Sequence, residues 1–478
     1  MDMATLDGIR QVVAMLVNWS CCTLDKLGYD PTIRHTETPG VFEIDCAEAH
    51  PKGKRHIVKT YLIDRVIVCA MRVFGRHTRC FVGCEKNNPK AKRKVIKDSW
   101  PLATSPAEGD DLNNEIEHLE LIRNTFHGKD KDFLYLEVAS AEVVQFTVGR
   151  NKVNDDTDNI FELYPGEERH YRVHRRIAMS PCGENLKAVR NENEFAAVLA
   201  DAMRCHNEVL KECQLLHRDI SSNNILVVRD ETPNPGCRSV HGLLIDFDHA
   251  ISVAPNAGRS GKHEISGTLP FMSIHNLCGA GGKRTALDDW ESLLYMVCWH
   301  ATYGINSDDR KLIDSTADLP IQKWRVNTSM AAIASEKRYQ MDTLNAFLVN
   351  ITEHFIPKYT KLRLLAIALY RALFQHKGCE GATIKKVINA SADPDDLKQW
   401  FTAEYQERLN QPGVDPLVTR VGFEEPIIEK LLEVMSVCLQ SVEPSLLAGD
   451  RIDVPTVGQS DGSAPGEDDG RGPDDAAS

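Results

Sequence analysis

The feature that most constrains this chain is a pair of polar, acid-bearing turns set between aliphatic runs: "LLHRDISSNNILVV" at residues 215–228 and "GLLIDFDHAI" at 242–251. Short β-branched and aliphatic runs bounded by turn residues read as buried strands. A strand that ends in an aspartate puts its carboxylate at the sheet edge. The first turn carries Arg218, Asp219 and Asn224, and the second carries Asp246 and Asp248. Between them, "RDETPNPGCRSVHG" holds two prolines and two glycines and reads as an extended hairpin loop. Two strand-turn frames in this order specify far more than either tripeptide alone.

The text around these frames changes character along the chain. Residues 1–54 read as a short amphipathic helix, "LDGIRQVVAMLVNWSCCTL", followed by a turn-rich extension around Asp30-Pro31 and Pro39-Gly40. Residues 55–180 begin with three strand-like segments, "HIVKTYLIDRVIVCAMRVFG", "RCFVGCEK" and "RKVIKDSW". In "DDLNNEIEHLELIRNTF", Leu112, Ile116, Leu119 and Ile122 recur at three- and four-residue steps and mark a helix. Residues 145–178 read as one or two strands with a polar insertion. From 181 to 444 helices dominate, among them "ENEFAAVLADAMRCHNEVLKECQLL", "LDDWESLLYMVCWHAT" and "TKLRLLAIALYRALFQ". The stretch 445–478 is acidic and poor in apolar residues, and is expected to be a disordered tail. The order predicts an α+β, two-lobed architecture with a cleft between a strand-rich part and a helical part.

Composition narrows the partners. With 478 residues, 42% hydrophobic and 26% charged, the chain has room for one large two-lobed domain or two to three ordinary ones, and the balance of a soluble globular protein. Its net charge of −13 opposes general binding to nucleic acid or anionic membranes. A solvated hairpin tip accounts for the basic run Lys90 to Lys94 more simply than a nuclear address does. The 14 cysteines are scattered, and Cys80 and Cys84 lack a second pair to complete a zinc site. Reduced thiols, with no export signal at the acidic N-terminus, predict an intracellular protein, cytoplasmic or nuclear.

The chemistry that suits these turns is phosphoryl transfer, which asks a protein mainly for positioning and charge neutralisation. Asp219 is the candidate base for an attacking hydroxyl, and Asn224 and Asp246 are the candidate Mg²⁺ ligands. A lysine on a strand, paired with a glutamate on the next helix, would hold the phosphates. Lys97 and Glu115 fill those roles, with Lys94 as the rival lysine and Glu117 and Glu108 as rival acids. "FGRHTRCFVG" offers Gly75 and Thr78 for phosphate contacts but has no G-x-G-x-x-G, and a plain hairpin explains it equally well.

With "VIKDSW", "LLHRDISSNNIL", "LLIDFDHA", "GTLPFM" and "DDWESLLYMVCW" assembled, the chain resembles the fungal-type protein kinase family, over roughly residues 20–380. The resemblance implies a protein-kinase-like fold, ATP and Mg²⁺ as cofactors, and transfer of the γ-phosphate to Ser/Thr hydroxyls of a protein substrate that the sequence does not identify. It implies Asp219 as base, Asn224 and Asp246 on metal, Lys97 on the phosphates and Glu115 as its partner. It further implies Thr268 as a contact of the catalytic loop, Asp289 as that loop's brace, and Arg218 as a partner for a phosphate in the following segment, where Ser260 and Ser266 are candidate acceptors. "HRRIAMSPCGENL" implies adenine binding near Met179 to Cys182, and "IQKWRVNTSMAAIASEK" resembles a family insertion. Three residues depart from the kinase pattern. Ser221 stands where a lysine is usual, Asp248 where a glycine is usual, and His275 where a glutamate is usual. A small-molecule phosphotransferase of the choline- or aminoglycoside-kinase type shares the missing lysine and the second acid. A non-catalytic kinase-like scaffold is a further alternative, although all four of Asp219, Asn224, Asp246 and Lys97 are present.

Overall fold

A computed structural model describes residues 5–21, 30–47, 58–69, 76–102, 115–129, 133–148, 151–157, 171–230, 238–254, 267–279, 284–306, 308–309, 319–326 and 329–374. Gly75, Glu108, Leu112, Ser260, Ser266 and the tail 445–478 lie outside the described residues. Helix α1 (Leu6–Cys21) is followed by β1 (Ile33–His35), β2 (Phe42–Ala47), β3 (Val58–Cys69), β4 (Arg79–Glu85) and β5 (Lys94–Ser99). After α2 (Glu115–Phe126) come β6 (Glu137–Val143), the small hairpin β7 (Gln145–Val148) and β8 (Asn151–Asn154), and β9 (Arg175–Ser180). Strands β1 to β6 and β9 form one antiparallel seven-stranded sheet in the order β1-β2-β3-β4-β5-β9-β6.

This corrects the turn-rich reading of the first 54 residues: β2 pairs with β3 along six residues, from Phe42↔Ile63 to Ala47↔Val58. Its alternation puts Ile44 and Cys46 into the core beside Tyr61, Ile63, Phe81 and Ile96. Charge closes the end of the same face, because Asp98 and Arg176 lie two residues along their strands from Ile96 and Ala178. The fully buried Arg176 guanidinium donates to Asp98 (2.9 Å), Thr32 Oγ1 (2.6 Å), the Asp45 carbonyl (2.9 Å) and Asp30. His174 bridges Asp98 (2.8 Å) and Asp155 (2.7 Å) and stacks on Trp100. Each buried charge therefore has partners, the condition under which burial is tolerated.

The chain leaves the sheet at Ser180, and two residues of β10 (Glu184–Asn185) pair with β12 (Ile225–Arg229) in the helical part. Between them runs α3 (Glu192–Cys213), whose start is set by Asn191: its side chain accepts from the N–H groups of Asn193 (3.0 Å) and Glu194 (2.9 Å). Its buried face, with Phe195, Val198, Leu199, Ala202 and Met203, supports the strand frames read from the sequence. These are β11 (Leu215–Leu216), β12 and β13 (Val240–Leu244), with β14 (Ile251–Ser252) returning to β11. Gly242 is where β13 meets α3 backbone to backbone: a Cβ there would stand 1.9 Å from the Val198 carbonyl oxygen.

Among the described residues the remaining α-helices are α4 (Ile274–Leu277), α5 (Ala286–Tyr303), α6 (Lys323–Val326), α7 (Met330–Met341), α8 (Leu344–Asn350) and α9 (Thr360–Phe374). Helices α5 and α9 pack through a core that includes Trp290, Leu293, Leu294, Leu365 and Leu369. Among the described residues, no helix is long and apolar enough to cross a membrane. The fold is thus α+β, a curled strand-rich sheet joined to a mainly helical part.

Candidate active site

Three segments meet where the sheet adjoins the helical part. The first is β5 with α2. Residues three apart on a strand face opposite sides, so only one of Lys94 and Lys97 can point at α2. Lys97 is the one, with its Nζ 2.8 and 2.9 Å from the two carboxylate oxygens of Glu115. Lys94 instead donates to the Ser180 hydroxyl, and Glu117 is exposed. The register left open by the sequence is therefore Lys97 with Glu115.

The second segment is the turn after β13. Asp246 takes a left-handed conformation (φ 67°), which swings its carboxylate back to Lys97 (2.7 Å). Phe247 plugs the core against His217, and its carbonyl lies 3.2 Å from His118 Nδ1 on α2. Asp248 follows, 3.1 Å from Lys97 and 2.9 Å from Arg76 Nη1. Glu115, Asp246 and Asp248 bring three carboxylate oxygens within 4.8 Å of one another. Three acids against two cations set the electrostatics. Burial alone would lower Lys97, but Asp246, Asp248 and Glu115 hold it well above the usual lysine range. Burial, and then the Asp248 charge, push Glu115 up. Burial would also raise Asp248, yet Lys97 and Arg76 hold it well below the usual carboxylate range.

The third segment is the loop between β11 and β12. Asp219 Oδ1 accepts from the Thr268 N–H (3.0 Å) and hydroxyl (3.1 Å), and its Oδ2 accepts from Asn224 Nδ2 (2.9 Å). The same amide nitrogen donates to the Asp219 carbonyl (2.8 Å). Asn224 thus spends its donors on the loop and leaves its side-chain oxygen for a hard cation. Arg218, at φ 71°, gives its N–H to Asp289 (3.0 Å), which also meets His206 Nε2 (2.8 Å). Asp289 reaches the loop because Thr285 and Asp288 cap the start of α5, fixing the first helical turn beneath it.

Of the residues singled out in the sequence, the structure brings together Lys97, Glu115 and Asp246 in one cluster, and Asp219, Asn224, Thr268, Arg218 and Asp289 in another. The two clusters are joined through β12 and β13, where the Ile245 N–H donates to the Asn224 carbonyl (2.9 Å). Thr78 immediately precedes β4, an interior strand of the sheet. Met179 and Cys182 flank the crossing from the sheet to the helical part.

The departures acquire definite surroundings. The Ser221 hydroxyl is buried and, among the described residues, has no hydrogen-bond partner. Asp248 is an ion-pair partner of Lys97 and Arg76. His275 lies 3.4 Å from Asp288, and the segment is anchored by Ser273 on Asp288 (2.7 Å), by the Ile274 N–H on Glu291 (2.7 Å) and by Lys337 of α7. Its amine donates to the carbonyls of Pro270 (2.8 Å) and Met272 (2.7 Å) beside the Tyr295 ring. Sequence reasoning missed Lys337, Arg76 and His206. Arg76 carried one signal, its place directly after Gly75 in the hairpin; the other two act across long sequence separations.

A strand lysine on a helix glutamate, an acid from a strand-end turn beside it, and an Asp-Asn loop braced from a helix below are the makings of a kinase-like protein. The chain belongs to the fungal protein kinase family, whose model matches residues 2–301, more than half of its length. The match ends before residues 302–380, so the "IQKWRVNTSMAAIASEK" segment lies beyond it. No curated protein matches the chain.

Proposed function

We propose that this protein is an ATP- and Mg²⁺-dependent protein kinase that transfers the γ-phosphate to Ser/Thr hydroxyls, with a two-lobed kinase fold. The domain reading takes residues 55–180 as the first lobe, extended by β1 and β2, and 181–444 as the second. The observation that carries the function is the double engagement of Asp219. Asn224 and Thr268 hold its two carboxylate oxygens. A carboxylate pinned in this way accepts a proton from one direction and orients the hydroxyl that carries it.

The residues present fit a bound cation and a triphosphate. Asp246 remains partly exposed on the open side of the cluster, and Asn224 keeps its amide oxygen free for a hard ion. Mg²⁺, when bound, neutralises charge on the phosphates. Lys97, oriented by Glu115, supplies a fixed ammonium for phosphate oxygens. Asp289 keeps the loop backbone in place through the Arg218 N–H, so Asp219 stays aimed. Adenine would bind backbone groups near Met179 to Cys182. The net charge of −13 supports a protein acceptor over nucleic acid or an anionic membrane.

Thr268 favours protein hydroxyls, because it ties the segment that would carry a peptide directly to the base. Asp248 favours the second reading, a small-molecule phosphotransferase, since an acid two positions after the metal aspartate suits that class. Phosphate transfer from labelled ATP to a mixture of proteins and small amino alcohols separates them. Labelled phosphoserine and phosphothreonine are expected; label confined to the alcohols would sink the protein-kinase reading.

A further inference from the structure

We propose that Arg76 is a phosphate-binding residue of this protein, supplying from the β3–β4 connection a positive charge that Ser221 does not supply beside the base. The inference rests on the phosphotransfer reading above and extends it to one further side chain.

The site is short of cationic charge where phosphates would lie. Ser221 is neutral and 1% exposed, so it offers nothing to an incoming anion. Arg284, which also lies near Asp219, is committed to the Arg218 carbonyl (3.0 Å) and to Asn276 (2.8 Å). Arg76 is placed differently. Its backbone is fixed to the sheet, with its carbonyl accepting from the Trp100 N–H (2.7 Å). Its side chain crosses into the acid cluster, with Nη1 2.9 Å from Asp248 and 4.0 Å from Asp246 Oδ2.

Lys97 approaches the same two carboxylates, at Asp246 Oδ1 (2.7 Å) and Asp248 Oδ2 (3.1 Å). The ammonium and the guanidinium thus flank one pair of acids. They differ in access: the Lys97 side chain is 8% exposed and that of Arg76 37%. Arg76 is therefore the cation of the cluster that faces the open side. A guanidinium is planar, permanently charged and suited to two parallel bonds with phosphate oxygens. Two departures then explain each other. Asp248, in place of a glycine, holds the arginine at the site, and the arginine offsets the loss at Ser221. Nor does the connection need glycine-rich backbone contacts when a guanidinium supplies the grip.

The rival explanation is an ion pair that merely closes the cluster in the nucleotide-free protein. Calorimetric binding of the non-hydrolysable analogue AMP-PNP with Mg²⁺, and of adenosine alone, distinguishes the two. In Arg76→Gln, AMP-PNP affinity is expected to fall about tenfold or more, the worth of a lost charge-assisted contact, with adenosine affinity unchanged. Arg76→Lys keeps the charge and is expected to lose only about threefold, the part owed to two-pronged geometry. Wild-type or tighter AMP-PNP binding in both variants would overturn the inference and leave a closing ion pair. If Lys97→Met weakens AMP-PNP binding while Arg76→Gln does not, the inference alone fails. A wild-type protein that binds no AMP-PNP overturns it together with the phosphotransfer reading.

Discussion

At the scale of single residues, the site works by removing freedom from a few polar atoms. Asp219 has both oxygens committed, and Thr268 contributes twice, through its N–H and its hydroxyl. Thr268→Val keeps the backbone bond and the side-chain volume but loses the hydroxyl. Turnover is expected to fall about tenfold, as for one lost hydrogen bond to a charged group, with little change in KM for ATP; steady-state kinetics check it. Lys97→Met removes the cation shared by Glu115, Asp246 and Asp248, and transfer is expected to vanish. Retained activity would mean that another lysine serves the phosphates. The strand period explains why the lysine that meets Glu115 was nearly legible in the sequence. Lys94 and Lys97 must face opposite sides, and only tertiary packing decides which side meets α2. Asp248 was legible only as a departure, because its partner Arg76 lies 172 positions away.

At the scale of elements, helices and hairpins with their own periodicity were readable, and those made by distant pairing were not. Helices α2, α3, α5 and α9 fall within the stretches read as helical in the sequence, the Leu112 end of the first lying outside the described residues. Strands β1 and β2 were read as turns because Asp30-Pro31 and Pro39-Gly40 dominate their local text. Their pairing with β3 and the salt links from Arg176 are set by tertiary contacts. Those links give a pH dependence. Burial would lower His174, but Asp155 and Asp98 raise it to about 9. A histidine raised above its unfolded value of about 6.5 stabilises fully below that pH and loses its contribution as pH rises through about 9. The loss amounts to at most about 3 kcal/mol, so urea unfolding of wild type is expected to weaken between neutral and alkaline pH. His174→Gln should flatten that slope.

Helix α7 shows the same long-range logic. Lys337 was invisible as an anchor because it acts on carbonyls 65 and 67 positions upstream. Burial pushes its amine below the usual lysine range against the opposing Glu291 charge, and its N–H groups meet both carbonyls. Lys337→Met should strand both acceptors and cost about 2–4 kcal/mol in chemical denaturation. A loss under about 0.5 kcal/mol, the range of ordinary surface substitutions, would show that the segment is held elsewhere.

At the scale of the whole molecule, the sheet and the helical part share their most highly charged contacts at one place. Lys97 and Glu115 come from the strand-rich part, and Asp246 and Asp248 from the turn after β13. The His118 contact with the Phe247 carbonyl lies beside them. Any anion bound there touches both parts, so ligand binding and the stability of the whole protein are linked. At a concentration about a hundred times its dissociation constant, an ATP analogue with Mg²⁺ should stabilise the wild type by about 2.7 kcal/mol in thermal unfolding. Lys97→Met at the same concentration should gain much less.

Phosphotransfer at this site stands or falls with Asp219 as its base. The direct measurement is transfer of label from γ-labelled ATP to protein in the presence of Mg²⁺, comparing wild type with Asp219→Asn at equal nucleotide occupancy. The substitution keeps the hydrogen-bonding shape and removes the proton acceptor. Transfer by the wild type that falls by about a thousandfold or more in Asp219→Asn is the predicted result, the upper part of the range for a general base. Equal transfer by the two proteins, or none by either despite bound nucleotide, would contradict it.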